Sequence, residues 1–385
     1  MRAYSFEDLY HKFARKEVAE SLRTFCISKN SYDKILEKYP AKLYIPNYFI
    51  SIALGLLTFV AVLFSGLLLW LLTSASNTGS MVTLLITLAI LCYIALELLV
   101  KKKKYFNAGV DNVLMTFIIV FIVSSFALQD FEFSWLLISG VTMIVALWLA
   151  ARFTDGFMAI ISYCSFLIFI FRLYLIAGNI AMRTAPFLIM TASVVIYLLM
   201  KKLIKSKIFS YMFCFKCVLF LTLITFYASS NYFVVKELGS ELFQPQINFT
   251  NSLPLGWFFW LMTFIIPPAY IIYGIIKKDF LVMRTGVVLI AATIFTIKYY
   301  YAFWPVELEM IMMAVIFIAS AYLLIRYLKE GKFGFTSVNL YASNNEILNA
   351  EALIIAQTFN EQPTANNSGL YNGGTGGGGG ASGDF

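Results

Sequence analysis

Residues 47–104 read NYFISIALGLLTFVAVLFSGLLLWLLTSASNTGSMVTLLITLAILCYIALELLVKKKK. Two apolar runs, 47–73 and 81–100, flank the short polar stretch SASNTGS (74–80), and four lysines close the second run. A helix of about 20 apolar residues crosses a hydrocarbon core. A connection this short joins only antiparallel neighbours. The stretch therefore predicts a membrane-spanning hairpin with both ends on one side. Its lysines mark that side as cytoplasmic, because basic residues are retained on the inner face.

The same pattern continues along the chain. Ten apolar runs are expected as spans, near 47–73, 81–100, 109–128, 134–151, 156–177, 185–200, 208–229, 253–276, 280–298 and 308–326. Arg172 and Arg183 interrupt the fifth and sixth. With the N-terminus inside, 23 of the 29 Lys and Arg residues fall on the inner side. The outer segments hold Arg172, Arg183, Lys236 and Lys298, beside six acids. The expected fold class is thus an all-α integral membrane protein. It has about ten transmembrane helices in up-down hairpins, near 47–104, 105–152, 153–207, 208–278 and 279–330, and both termini are cytoplasmic.

Composition agrees. Of 385 residues, 60% are hydrophobic and 13% charged, where a soluble domain carries about 25% charged residues. Mean hydropathy is +0.79. A lone histidine, His11, and five scattered cysteines give no metal-ligand spacing and no disulfide framework. No cofactor is expected, and no enzymatic chemistry. The net charge of +8 belongs to topology and implies no nucleic acid. Residues 1–46 hold nine basic residues and no short apolar core, so no cleavable signal peptide is expected.

Three outward-going helices open on basic residues followed by Asp: KKKKYFNAGVDNVLMTF (101–117), ARFTDGFMAII (151–161) and KKDFLVMRTGVV (277–288). Asp111, Asp155 and Asp279 would each lie at a helix N-terminus, where a carboxylate meets unpaired N–H groups and the positive dipole end. Proton or ion handling is the alternative role.

Residues 1–46 read as a cytoplasmic amphipathic helical segment. Ser5 and Asp8 suit a capping box, and Phe6, Leu9, Phe13, Leu22 and Phe25 a single apolar stripe. That stripe packs on the cytoplasmic ends of the bundle, lies on an anionic membrane surface, or binds a partner. Residues 331–385 read as a cytoplasmic tail, with a short helix at 344–359 and a glycine-rich end, NGGTGGGGGASGDF, that is disordered.

Charges inside spans are candidates for function. Glu97 precedes Lys101 by four residues, the favourable order for an ion pair. Arg284 lies near enough to Asp279 to snorkel to the headgroups. Lys216 sits within CFKC (214–217). It is shallow or deep depending on where its helix starts, and Glu97 is its candidate partner. Cys214 and Cys217 share a helix face and read as small apolar residues in a wall, since a redox pair opens a helix at a wet end. Pro267-Pro268 interrupts the backbone bonding of its span. Such breaks occur at transporter sites and also as kinks packed by neighbours.

The segment KKDFLVMRTGVVLIAATIFTIKYYYAFWPVELE (277–309), then GFTS (334–337), NAEALIIAQTF (349–359) and the glycine-rich end, resembles an uncharacterised family of bacterial multi-pass inner-membrane proteins with a glycine-rich C-terminal tail. The resemblance implies the bacterial inner membrane and transfers no site. Two functions are expected. One is a multi-pass scaffold or accessory component, which contacts the lipid bilayer and binds protein partners through its N-terminal helices and tail. The other is a secondary transporter or channel, with a polar path near Lys216, Glu97, Arg284 and the Pro267-Pro268 break. The sequence does not fix the oligomeric state.

Overall fold

The computed structural model describes residues 3–300 apart from 24–25, 75–76, 130–133, 207–208 and 244–254, together with scattered positions between 311 and 329. The chain divides into two units, Met1–Leu308 and Glu309–Phe385.

The first unit is all-helical. Two short helices, α1 (Phe6–Arg23) and α2 (Lys29–Lys38), precede α3 (Tyr48–Thr73), α4 (Thr78–Lys103), α5 (Val110–Ala127) and α6 (Ser134–Phe153). Then come α7 (Gly156–Leu175), α8 (Asn179–Lys205), a 3₁₀ turn (Phe209–Tyr211), α9 (Met212–Ser230), α10 (Tyr232–Phe243), α11 (Gly256–Lys277) and α12 (Phe280–Tyr300). Among the described residues nine helices are long and apolar enough to cross a membrane: α3 to α9, α11 and α12. They match the first nine expected spans. In the second unit Ile311, Ala314, Val315, Ile318 and Ala319 are helical. The rest of the expected tenth span (308–326) lies largely outside the described residues, as do the 344–359 helix and the glycine-rich end.

Pairing differs from expectation. The most extensive packing joins α4 to α5, α6 to α7, α8 to α9 and α11 to α12, whereas α3 barely touches α4. The tight hairpins therefore close at the basic connections, one helix out of phase with the hairpins read from the sequence. At three of the four, a left-handed residue turns the chain: Lys104, Thr154 and Lys278, with φ of 52°, 53° and 54°. Ser74, between α3 and α4, is left-handed too (φ 44°), so this conformation reverses the chain without by itself deciding which neighbours pack. Two of these reversals repeat one device: a left-handed residue, then an Asp capping the next helix. Asp155 accepts from the Met158 N–H at 2.8 Å, and Asp279 from the Leu281 N–H at 3.2 Å. Asp111 departs from the pattern. Its carboxylate turns back to the N–H groups of Asn107 and Ala108, at 2.7 and 2.9 Å.

One continuous core runs through α4 to α7 and α9, built on Leu96, Val100, Met115, Leu149 and Met158. A second seam joins α9 to α12 through Leu219, Leu223 and Val282. Small residues set the closest crossings, as lipid offers little hydrophobic gain between helices. Gly109 (φ +86°) lies so near α3 that a Cβ there would meet the Ser51 carbonyl oxygen at 2.0 Å. Gly286 of α12 abuts the Pro267 carbonyl. The outward faces of α3 and α8 are almost wholly apolar and exposed, as a lipid-facing surface requires.

α10 lies between the seventh and eighth expected spans, in a stretch for which no element was read from the sequence. Asn231 explains it, accepting from the N–H groups of Phe233 and Val234 at 2.9 and 3.3 Å and so opening a new helix.

Candidate functional site

The charged groups of the first unit gather at the lysine-rich end of the bundle. Ser5 caps α1, accepting the Asp8 N–H at 3.0 Å. α1 then docks by several independent contacts. Ala3 donates its N–H to the Arg152 carbonyl at 2.9 Å. The Tyr4 hydroxyl donates to the Tyr105 carbonyl at 2.8 Å. The Lys104 ammonium donates to Asp8 at 3.0 Å, and Phe13 meets Phe209 with ring centroids 5.0 Å apart. The segment after α2 is pinned as well, since Tyr44 and Tyr105 form a parallel bridge. So α1 and the segment about Tyr44 pack on the bundle ends, one of the three roles expected for the N-terminal stripe. The apolar stripe is shifted from the expected one. Tyr4 and Leu9 are buried, Phe6 is 60% exposed, and Phe25 lies outside the described residues.

Beneath this cap, Glu97 of α4 bridges to α6. It accepts from Arg152 Nε at 3.2 Å and from Arg152 Nη2, and it pairs with Lys101 at 3.0 Å. The expected Lys101 pair is present. Arg152, 55 residues away, is the partner that local spacing does not reveal. A basic residue ending the fourth span at the level of Glu97 was the available signal.

Three buried acids also lie here. Lys104 and Ser5 hold the Asp8 carboxyl below its usual range, against burial, which acts to raise it. Burial pushes the Asp155 carboxyl up, with Asp111 adding a like charge. Two buried oxygens nearby, Thr154 Oγ1 and Asn112 Oδ1, have no hydrogen-bond partner. Among the described residues no group of His, Cys, Asp and Glu is placed to hold a metal.

The expected polar path is dispersed. Lys216 is exposed on the outer face of α9. That helix starts at Met212, so Lys216 lies only about 6 Å along it, within snorkelling reach of the headgroups. Glu97 is paired to Arg152 and Lys101 rather than to Lys216. Arg284 is exposed on α12. Pro267 is buried and Pro268 exposed, both inside a helix assigned without interruption from Gly256 to Lys277. CFKC is split across a wall. Cys214 is buried, Phe213 and Cys217 lie against Gly156 of α7, and Lys216 points away.

A separate polar network lies at the opposite end of α9. Tyr227 and Thr293 share a hydrogen bond at 2.6 Å, and Asn231 donates to the Tyr227 hydroxyl at 2.8 Å. Thr263 accepts the Tyr232 N–H at 3.0 Å and donates to the Phe259 carbonyl. Its polar atoms are mutually satisfied, which suits a structural clamp between α9, α11 and α12.

No family model matches the chain, and no curated protein or solved structure matches it.

Proposed function

We propose that the chain is a non-enzymatic scaffold or accessory component of a bacterial inner membrane, with its lysine-rich end and both termini in the cytoplasm. The observation that carries this reading is the dispersal of Glu97, Lys216 and Arg284. One is ion-paired beneath the N-terminal cap and two are exposed on separate helices. The core between α4 and α9 is packed with Leu, Met, Val and Phe, and the buried Thr222, Thr263, Thr285 and Thr293 hydroxyls donate to carbonyls of their own helices. Such an arrangement offers a hydrated solute few open polar groups. Supporting the orientation, Lys101 to Lys104, Lys201, Lys202, Lys277 and Lys278 cluster at connections alternating with acidic ones. The inner membrane and the family follow from the resemblance of residues 277–359. Protein partners would bind through the N-terminal helices α1 and α2 and, separately, through the C-terminal tail.

Water accessibility at Cys217 tests this against the transporter reading. The other four cysteines are replaced by Ala or Ser, and native membranes are treated with a membrane-permeant maleimide that reacts only in water. No labelling, with Lys216→Leu still folded, is expected for a dry wall. Rapid labelling would place water against the α7–α9 wall, about 7 Å into α9, and favour the transporter.

A further inference from the structure

Between α1 and residues 40–45 lies a cavity of about 160 Å³, whose lining includes Asp8, His11, Lys12, Arg15, Lys42 and Ile45. A cavity of about 150 Å³ accepts a benzene-sized guest, and a phosphate group is no larger. Its charges are unbalanced in an informative way. Asp8 is neutralised by Lys104 and Glu7 by Lys42, each at about 3 Å. His11 Nδ1 faces the Pro40 carbonyl at 3.2 Å, and Arg15 donates one N–H to the Tyr39 carbonyl at 3.1 Å. Among the described residues neither Lys12 nor Arg15 has a carboxylate partner. The Lys12 ammonium lies 3.3 Å from the Phe106 ring centroid.

Lys12 is the diagnostic group. Burial and the neighbouring Lys16 bring its ammonium down to about 8, against a weaker opposing pull from Asp111. Asp111 is already engaged by the Asn107 and Ala108 amides. The Phe106 ring face and the Asp111 charge offset only part of its desolvation, so a half-buried cation of this kind gains from an external anion. Arg15, with N–H groups left after its single bond to Tyr39, supplies the forked donors that oxyanions favour. The cavity also adjoins the start of the first span. Ile45 lines it, and Tyr44, Tyr48 and Phe49 beside it are exposed apolar and aromatic side chains suited to the headgroup level.

We propose that this cavity binds a phosphate oxyanion, held by Lys12 and Arg15 with His11 and Lys42 at its margin. The group comes from an anionic lipid headgroup at the membrane surface or from free phosphate. Occupancy would hold α1 to residues 40–45, and so fasten the cytoplasmic cap where the bundle meets the bilayer.

The test uses the full chain in phosphatidylcholine nanodiscs, with acylation of Lys12 followed by peptide mass spectrometry at a pH of about 8. Lys102, outside the cavity, is the internal control. One arm adds phosphatidic acid to the nanodisc and another adds inorganic phosphate to the buffer. Protection of Lys12 by about tenfold, the worth of one charge-assisted hydrogen bond, with Lys102 unchanged, is expected in at least one arm. Protection by phosphatidic acid alone assigns a lipid headgroup, and protection by inorganic phosphate assigns the free anion. Arg15→Gln should remove most of the protection, and Arg15→Lys should retain it. Absence of protection in both arms, or equal protection of Lys102, overturns the site. Should Arg15→Gln fail to fold, the two wild-type arms decide. The outcome is independent of the scaffold reading, since a phosphate site at the cap is compatible with either a dry or a wet bundle.

Discussion

The Lys104 ammonium lies 3.0 Å from Asp8 Oδ2, across 96 residues of sequence. Asp8 is buried and Lys104 half exposed. This pair ties the amphipathic N-terminal helix to the reversal between α4 and α5. Removing one partner leaves a buried charge unmatched. Lys104→Gln should therefore loosen α1 by about 1.5 kcal/mol, the low end for hydrogen bonds involving a charged group, because Lys104 is half exposed. Hydrogen exchange should rise several-fold in residues 6–23, with the spans unaffected.

Acidification should act at the same place. The folded-state pKa of Asp8 is lowered, and so is that of Glu7, which Lys42 holds. Groups shifted down contribute stability that is fully present above their ordinary values and is lost as pH falls through the folded values. Asp155 is shifted up by burial, so its protonation relieves a cost and opposes the loss. Docking of α1 should stay constant from neutral pH to about 5 and weaken below about 4, near the ordinary carboxylate values. Proteolytic nicking between α1 and α2 by an acid-active protease measures it.

Glu97 and Arg152 should behave as a coupled pair. Each side chain is only 16% exposed. Arg152→Met leaves Glu97 with Lys101 alone and should cost roughly 2–3 kcal/mol, below the full penalty of about 3–5 for a deeply buried pair. Glu97→Gln combined with Arg152→Met should recover more than half of that. Thermal unfolding of the four proteins in detergent gives the cycle. Additive losses would mean that the pair carries no coupling.

Glycine substitutions should separate crossing points from surface. Gly109→Ala forces a Cβ into the Ser51 carbonyl and strains a residue at φ +86°, so folded yield should fall sharply. Gly79→Ala meets nothing within 4 Å and should leave yield and stability within about 0.5 kcal/mol of wild type. Size-exclusion recovery after expression distinguishes them.

Nine spans were legible because each is a long apolar run with charges at its ends, a local signal that needs no knowledge of neighbours. The helix-capping roles of Asp155 and Asp279 were legible for the same reason. Two features were hidden because they depend on chain reversals and distant partners, while a third, α10, carries a local signal of its own. The left-handed residues Lys104, Thr154 and Lys278 are not glycine, so nothing in composition marked them as tight turns. Arg152 finds Glu97 only once α4 and α6 are side by side. α10 begins at Asn231, and the sequence YFVVKELGSELF (232–243) carries an amphipathic pattern that could have announced it. Of the cavity, the basic face of Lys12, Arg15 and Lys16 was readable at helical spacing. That residues 40–45 close over it was not.

The most direct test concerns the side on which the capped, lysine-rich end lies. Two single-cysteine proteins suffice, one keeping the exposed Cys26 and one carrying Leu238→Cys on α10, a position 53% exposed. Intact cells are treated with a membrane-impermeant maleimide. Labelling of the α10 cysteine without Cys26, and of Cys26 only after the membrane is opened, is the expected result. Labelling of Cys26 in intact cells would turn the cap and its phosphate cavity to the outside, and would contradict the cytoplasmic scaffold.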